Sequence, residues 1–154
     1  MKLNEKLVIH NTLNRKLFSE DDKLYDIVRD KLLSIVEKFI EYSELDINVA
    51  DIQLVGSNAS YNYSEDSDLD VHIISNFDLI DAPKELLQSL YNAKKTQFND
   101  KFNIKIRGIN VEMYVQDVND GIQSNGIYSV LNNEWIKFPR HIKNVKEYTF
   151  DDEI

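Results

Sequence analysis

Apolar positions along this chain follow two rhythms. From Leu24, the residues Ile27, Val28, Leu32, Ile35, Val36, Phe39 and Ile40 recur at spacings of three and four, which predicts a helix with one buried stripe running to about Tyr42. Ser19-Glu20-Asp21-Asp22 sets a capping hydroxyl three residues before an acid and predicts the start of that helix. A second helix is predicted after Asp81-Ala82-Pro83, with Leu86, Leu87, Leu90, Tyr91 and Phe98 on its buried face up to about Asp100. Elsewhere the rhythm shortens to two. Asp51 to Val55 and Leu69 to Ile74 read as strands. Ile104 to Ile106 with Val111 to Val115, and Gly126 to Leu131 with Glu134 to Phe138 about an Asn132-Asn133 turn, read as two antiparallel hairpins. Residues 1–18 show no strong period and read as an irregular or partly helical arm. Gln116 to Asn125 is a polar loop, and 140–154 reads as a short helix or an acidic tail. With no linker or repeat, the 154 residues form one domain of helices and strands, long enough to bury its own core.

Composition narrows the function. There are no cysteines, so neither disulfides nor thiolate zinc sites are available. Met1 to Asn14 contains no uninterrupted apolar run, and a soluble, cytoplasmic protein without a membrane span is expected. The net charge of −9 is lopsided: residues 1–82 carry 8 basic and 17 acidic side chains, residues 83–154 carry 10 of each. Such a chain is poorly suited to gripping long duplex DNA, which demands many Lys and Arg contacts to phosphate. Small nucleotides or a protein surface suit it better.

The chemistry concentrates between Leu54 and Ile74. A strand ends in Gly56-Ser57, ten residues follow (Asn58 to Ser67), and a second strand carries Asp68, Asp70 and His72 on one face, with Leu69, Val71 and Ile73 on the other. Two carboxylates about 7 Å apart along a strand repel one another by as much as ~4 kcal/mol for close pairs near a surface, unless a cation lies between them. Gly56 lets a backbone approach a ligand closely, and the Ser57 hydroxyl with neighbouring amides can hold phosphate oxygens. Taken alone, Gly-Ser is equally a turn. Tyr61 and Tyr63 can stack on a base or simply pack a loop, and His72 can be a metal ligand or a hydrogen-bond partner of the acids. On the later strand, Val111, Met113 and Val115 face one side and leave Glu112 on the other as a third acid.

Gly56, Ser57, Asp68 and Asp70, followed by an acid on a later strand, resemble the nucleotidyltransferase superfamily that includes DNA polymerase beta. The interval Asn58 to Ser67 is similar to that of minimal nucleotidyltransferases found in toxin-antitoxin pairs, and Tyr61-Asn62-Tyr63 and Tyr128 to Asn133 are similar to phage-encoded members. The resemblance implies an α+β, polymerase beta palm-like fold, a mixed sheet with helices packed on one face. It also implies transfer of a nucleoside monophosphate, AMP from ATP, to a hydroxyl of a protein, small molecule or RNA end, with pyrophosphate released. Asp68, Asp70 and Glu112 would be the catalytic acids and would hold two Mg2+ ions, or Mn2+, and Gly56 with Ser57 would hold the nucleotide's phosphates. The family's third acid is commonly Asp, which makes Asp117 the fallback for Glu112. The Arg-Gly usual within the interval of minimal members is replaced here by Tyr61-Asn62. No basic thumb or fingers follows, so the acceptor would be held by a small site, a protein partner or a second copy of the chain. The alternative is a nucleotide-binding or regulatory module of the same fold with little turnover.

Overall fold

The computed structural model describes residues 8–142. Helix α1 (Asp26–Ser43) leads into β1 (Asp51–Val55) and a 3-10 turn (Ser57–Ala59), then β2 (Leu69–Ser75) and a second 3-10 turn (Phe77–Leu79). Helix α2 (Lys84–Phe102) precedes the hairpin β3 (Lys105–Ile106) and β4 (Ile109–Asp117), and the chain continues through β5 (Ile127–Ser129) and β6 (Glu134–Lys137). The strands form one mixed sheet of order β3-β4-β2-β1-β5-β6, in which only β2 and β4 run parallel. A parallel pair requires a crossover connection, and α2 supplies it.

Both helices cover one face. Ile52 and Leu54 from β1, Leu69, Val71 and Ile73 from β2, and Val111, Met113 and Val115 from β4 join Val28, Leu32, Val36 and Phe39 of α1 and Leu87, Tyr91 and Phe98 of α2 in a single buried cluster. The alternating residues Asp70, His72, Glu112 and Tyr114 are left on the opposite face, as strand periodicity requires. Arg107 and Gly108 both adopt positive φ (49° and 81°) in the tight turn joining β3 to β4, the conformation that short hairpins favour.

Two expectations need correction. Helix α1 starts at Asp26 and not at Ser19. The Ser19 hydroxyl accepts from its own turn, the Asp21 amide at 3.3 Å, while Ser19 N–H donates to the Lys23 carbonyl at 2.8 Å and Phe18 bridges Leu24. Burying both Phe18 and Leu24 makes the chain double back first, and the local side-chain bond competes with the helix. The arm is irregular but integral to the core, because Leu13, Leu17 and Phe18 are fully buried. β4 extends beyond the expected Val115 to Asp117, paired throughout with β2. Trp135 is structural: its indole N–H donates to the Asp22 carbonyl at 2.7 Å and its ring stacks on Phe18. Of the arm and tail, residues 1–7 and 143–154 lie outside the described residues.

Candidate active site

Three adjacent strands set the site. Val55, Asp70 and Glu112 are register partners across β1, β2 and β4, so the two carboxylates emerge side by side on the uncovered face. Asp68, the residue just before β2, is exposed. Gly56 follows Val55 with φ +80°, and a β-carbon there would collide with the Asp70 Oδ2. The backbone at Gly56, φ 80° and ψ −165°, is a conformation that glycine alone adopts readily, and the carboxylate fills the space beside it.

The ten-residue interval is a buttress for the acids. The buried Asn58 amide donates to the Ser67 and Asp68 carbonyls at 3.2 and 2.9 Å and accepts from Asn14 at 3.1 Å, which fixes the entry to β2. The Ser57 hydroxyl donates to Ser67 Oγ at 2.7 Å. Tyr63 stacks on His10 at 3.8 Å and Tyr61 on His141 at 3.7 Å, so both pack the loop. Across the site, Ser124 Oγ accepts from the Gly56 amide at 3.0 Å and donates to the Gly126 carbonyl at 2.7 Å. Gly126 passes so close to the Ala59 carbonyl that a β-carbon would collide with it. These contacts tie the loop after β4 to the end of β1.

Burial, then the charges of Asp68 and Glu112, push the Asp70 carboxyl up to about 6, against a smaller opposing pull from Lys95. Helix α2 runs beside the open edge of β4, where Gln88 donates to the Val115 carbonyl, and Lys95 reaches from it to Glu112 Oε1 at 2.9 Å. Burial lowers the His72 pKa, outweighing its hydrogen bond to Gln116. A carboxyl raised by burial and by neighbouring carboxylates is the kind of perturbed group found at functional sites.

A family model for the nucleotidyltransferase domain matches residues 29–150. The chain belongs to the nucleotidyltransferase family. No curated protein and no solved structure matches it. Membership assigns nucleotidyl transfer in general terms, with a nucleotide as substrate, and agrees with an α+β fold of two helices and six strands among the described residues.

Within this nucleotidyltransferase the donor set, carboxylate oxygens alone, is the chemistry that magnesium and manganese favour. The acids are not gathered into a finished cage: among the described residues no group of three or more His, Cys, Asp or Glu side chains is placed to hold a metal ion. Glu112 is turned to Lys95, and Asp68 faces solvent. The fallback acid Asp117 is excluded by its position. It shares the inner face with Val115, pairs with Ser75 five positions beyond the Asp70–Glu112 row, and is 2 % exposed. Its Oδ1 accepts from the Phe77 and Asn119 amides, and its Oδ2 binds Lys84 at 3.1 Å.

One opening reaches the acid row at Asp70, and another lies beside the arm. A cleft of about 340 Å³ is lined by Gly56, Asp70, His72, Tyr114, Gln116 and the loop 120–124. A cavity of about 720 Å³ lies between the arm, residues 63–66 and the β3–β4 turn. Sequence reading missed Asn58, Lys95, Gln116 and Ser124, each polar and each unremarkable in its local pattern. Among the described residues no helix is long and apolar enough to cross a membrane.

Proposed function

We propose that this protein transfers a nucleoside monophosphate, AMP from ATP, to a hydroxyl of a protein, small molecule or RNA end. The acceptor oxygen bonds to the α-phosphorus, the bond from that phosphorus to the β-phosphate's bridging oxygen breaks, the hydroxyl proton passes to solvent, and pyrophosphate leaves. The observation that carries this reading is the Val55–Asp70–Glu112 row, with Gly56 cut away to admit the Asp70 carboxylate. Asp68 and Asp70, joined by Glu112, would hold two Mg2+ ions, or Mn2+, which supply charge neutralisation for the attacking and leaving oxygens. Ser57 and the amides of its 3-10 turn would cradle the outer phosphates. The loop that Ser124 pins to Gly56 would shield the cleft from water. The cavity whose wall includes Glu65 and Asp66, just ahead of Asp68, gives the acceptor a way in.

The Lys95–Glu112 ion pair favours a second reading, a nucleotide-binding module with little turnover, because it ties up the third acid. The test is pyrophosphate release, and transfer of label from α-labelled ATP into a cell extract, with Mg2+. Wild type is expected to turn over and Asp70→Asn to lose about a thousandfold in rate. An equally active Asp70→Asn would remove the mechanism, and nucleotide binding without turnover would favour the module.

A further inference from the structure

Resting on the nucleotide-transfer reading, we propose that His72 reads the nucleoside of the bound nucleotide, its Nε2 accepting a hydrogen bond from a ribose hydroxyl or from the base's exocyclic amino group.

Two residues beyond the acid row, the same three strands present a second row, Gln53, His72 and Tyr114, again as register partners. Same-face rows along a strand lie about 7 Å apart, which is the scale on which sugar and base stand off from the phosphate that carries them. The 340 Å³ cleft spans both rows, since Asp70, His72 and Tyr114 all line it. A nucleotide with its phosphorus at Asp70 has room in this cleft to lay its nucleoside over His72.

The hydrogen-bond character of His72 is fixed by a chain of two contacts. The Asp120 carbonyl can only accept, so the Gln116 side chain turns its nitrogen there, at 3.0 Å. Its oxygen then faces His72 Nδ1 at 2.6 Å. An oxygen in that position requires hydrogen on Nδ1, and the neutral imidazole is left with Nε2 as a pure acceptor. Among the described residues no protein donor meets that nitrogen. Gln53 does not compete for it, because its amide is turned to Asp51 at 2.9 Å. Tyr114, with its ring centroid 5.3 Å from the imidazole and tilted by 51°, provides the adjacent aromatic wall. An acceptor set in a cleft selects ligands that bring a donor, because a ligand without one leaves a desolvated nitrogen unpaired.

The experiment is calorimetric binding of ATP, 2′-deoxy-ATP, 3′-deoxy-ATP and ITP, with Ca2+ in place of Mg2+ to prevent turnover. The proteins are wild type, His72→Phe and Gln116→Met, each checked by thermal melting. Wild type is expected to bind at least one analogue about tenfold more weakly than ATP. A deoxy form as the weak binder identifies the ribose contact, and ITP identifies the amino contact. His72→Phe should erase the difference. Gln116→Met, which frees the ring to turn over, should reduce it and carries the test if His72→Phe does not fold. Equal binding of all four by wild type, or a preference that survives in both variants, overturns the role of His72 and leaves nucleotide transfer standing. Failure of wild type to bind any of the four removes both.

Discussion

The β2–β4 pair carries a buried or half-buried carboxylate near each end, and the two behave in opposite ways. At one end Asp70 sits among Asp68 and Glu112, and burial with their charges pushes its pKa up to about 6. At the other, Asp117 is more deeply buried, yet Lys84 and the Asn119 and Phe77 amides outweigh that burial and hold its pKa below the usual carboxylate value. Burial therefore does not set the direction in which an acid's pKa moves. What sets it is whether the fold supplies the donors. Asp117 is completed by its own chain, whereas among the described residues no donor is hydrogen-bonded to the Asp70 carboxylate.

Replacing each acid should expose the contrast. Asp117→Ala leaves the Phe77 and Asn119 amides without their acceptor, while the exposed Lys84 keeps its ion pair with Asp78, and should cost about 2 kcal/mol, lowering Tm by roughly 4–8 °C. Nucleotide affinity of the folded fraction should not change. A variant that melts like wild type would mean that the donors are dispensable.

Asp70→Asn should act in the other direction on stability while abolishing transfer. The native state binds the Asp70 proton more tightly than the unfolded chain does, because the pKa rises from 3.8 to about 6. Its contribution is neutral below about pH 4 and becomes a loss of stability as pH rises to 6 and beyond. Asp117 has the reverse sign: its stabilisation is present above the ordinary carboxylate value and is lost as pH falls through its lowered one. Without metal, Asp70→Asn should be more stable than wild type by about 1 kcal/mol at pH 7, the full shift being discounted for the water that reaches this half-exposed group. The gap should close at pH 4. Melting curves at the two pH values measure it, and a constant gap would contradict the assignment.

The smallest effect is expected from Lys95→Met, which removes a cation that leans on the acid row and frees Glu112. Mn2+ affinity should rise about threefold, the scale of a partly exposed ion pair, as read by calorimetry. An unchanged affinity would show that Glu112 takes no part in holding the ion.

Much of this was legible locally. The alternation from Leu69 to Ile74 gave the acid strand and its two faces, and the stripe from Val28 to Phe39 gave α1. Parity alone could have removed Asp117 from candidacy: five positions from Glu112 is an odd step, which puts it on the inner face. The start of α1 was misread because Ser19-Glu20-Asp21-Asp22 satisfies a capping pattern that a tertiary demand, the joint burial of Phe18 and Leu24, overrides. Lys95, Gln116 and Ser124 had no local signal. Each acquires its role from a partner far along the chain, as Ser124 does from Gly56, and hydrophobic periodicity does not encode such meetings.

The far edge of the sheet carries a consequence for how the protein comes into being. Arg29 donates to the carbonyls of Val130 and Leu131, Leu24 N–H to the Tyr128 hydroxyl, and Trp135 to Asp22, contacts spanning 101 to 113 residues. Contacts of such separation bear the largest loop-closure entropy. On a ribosome, every acid of the site emerges well before Trp135 does. A nascent chain short of β5 therefore holds its full set of carboxylates while the segment leading into α1 still lacks the partners at 128–131 and 135 that pin it to the sheet, and this edge is the last part of the site's scaffold to close.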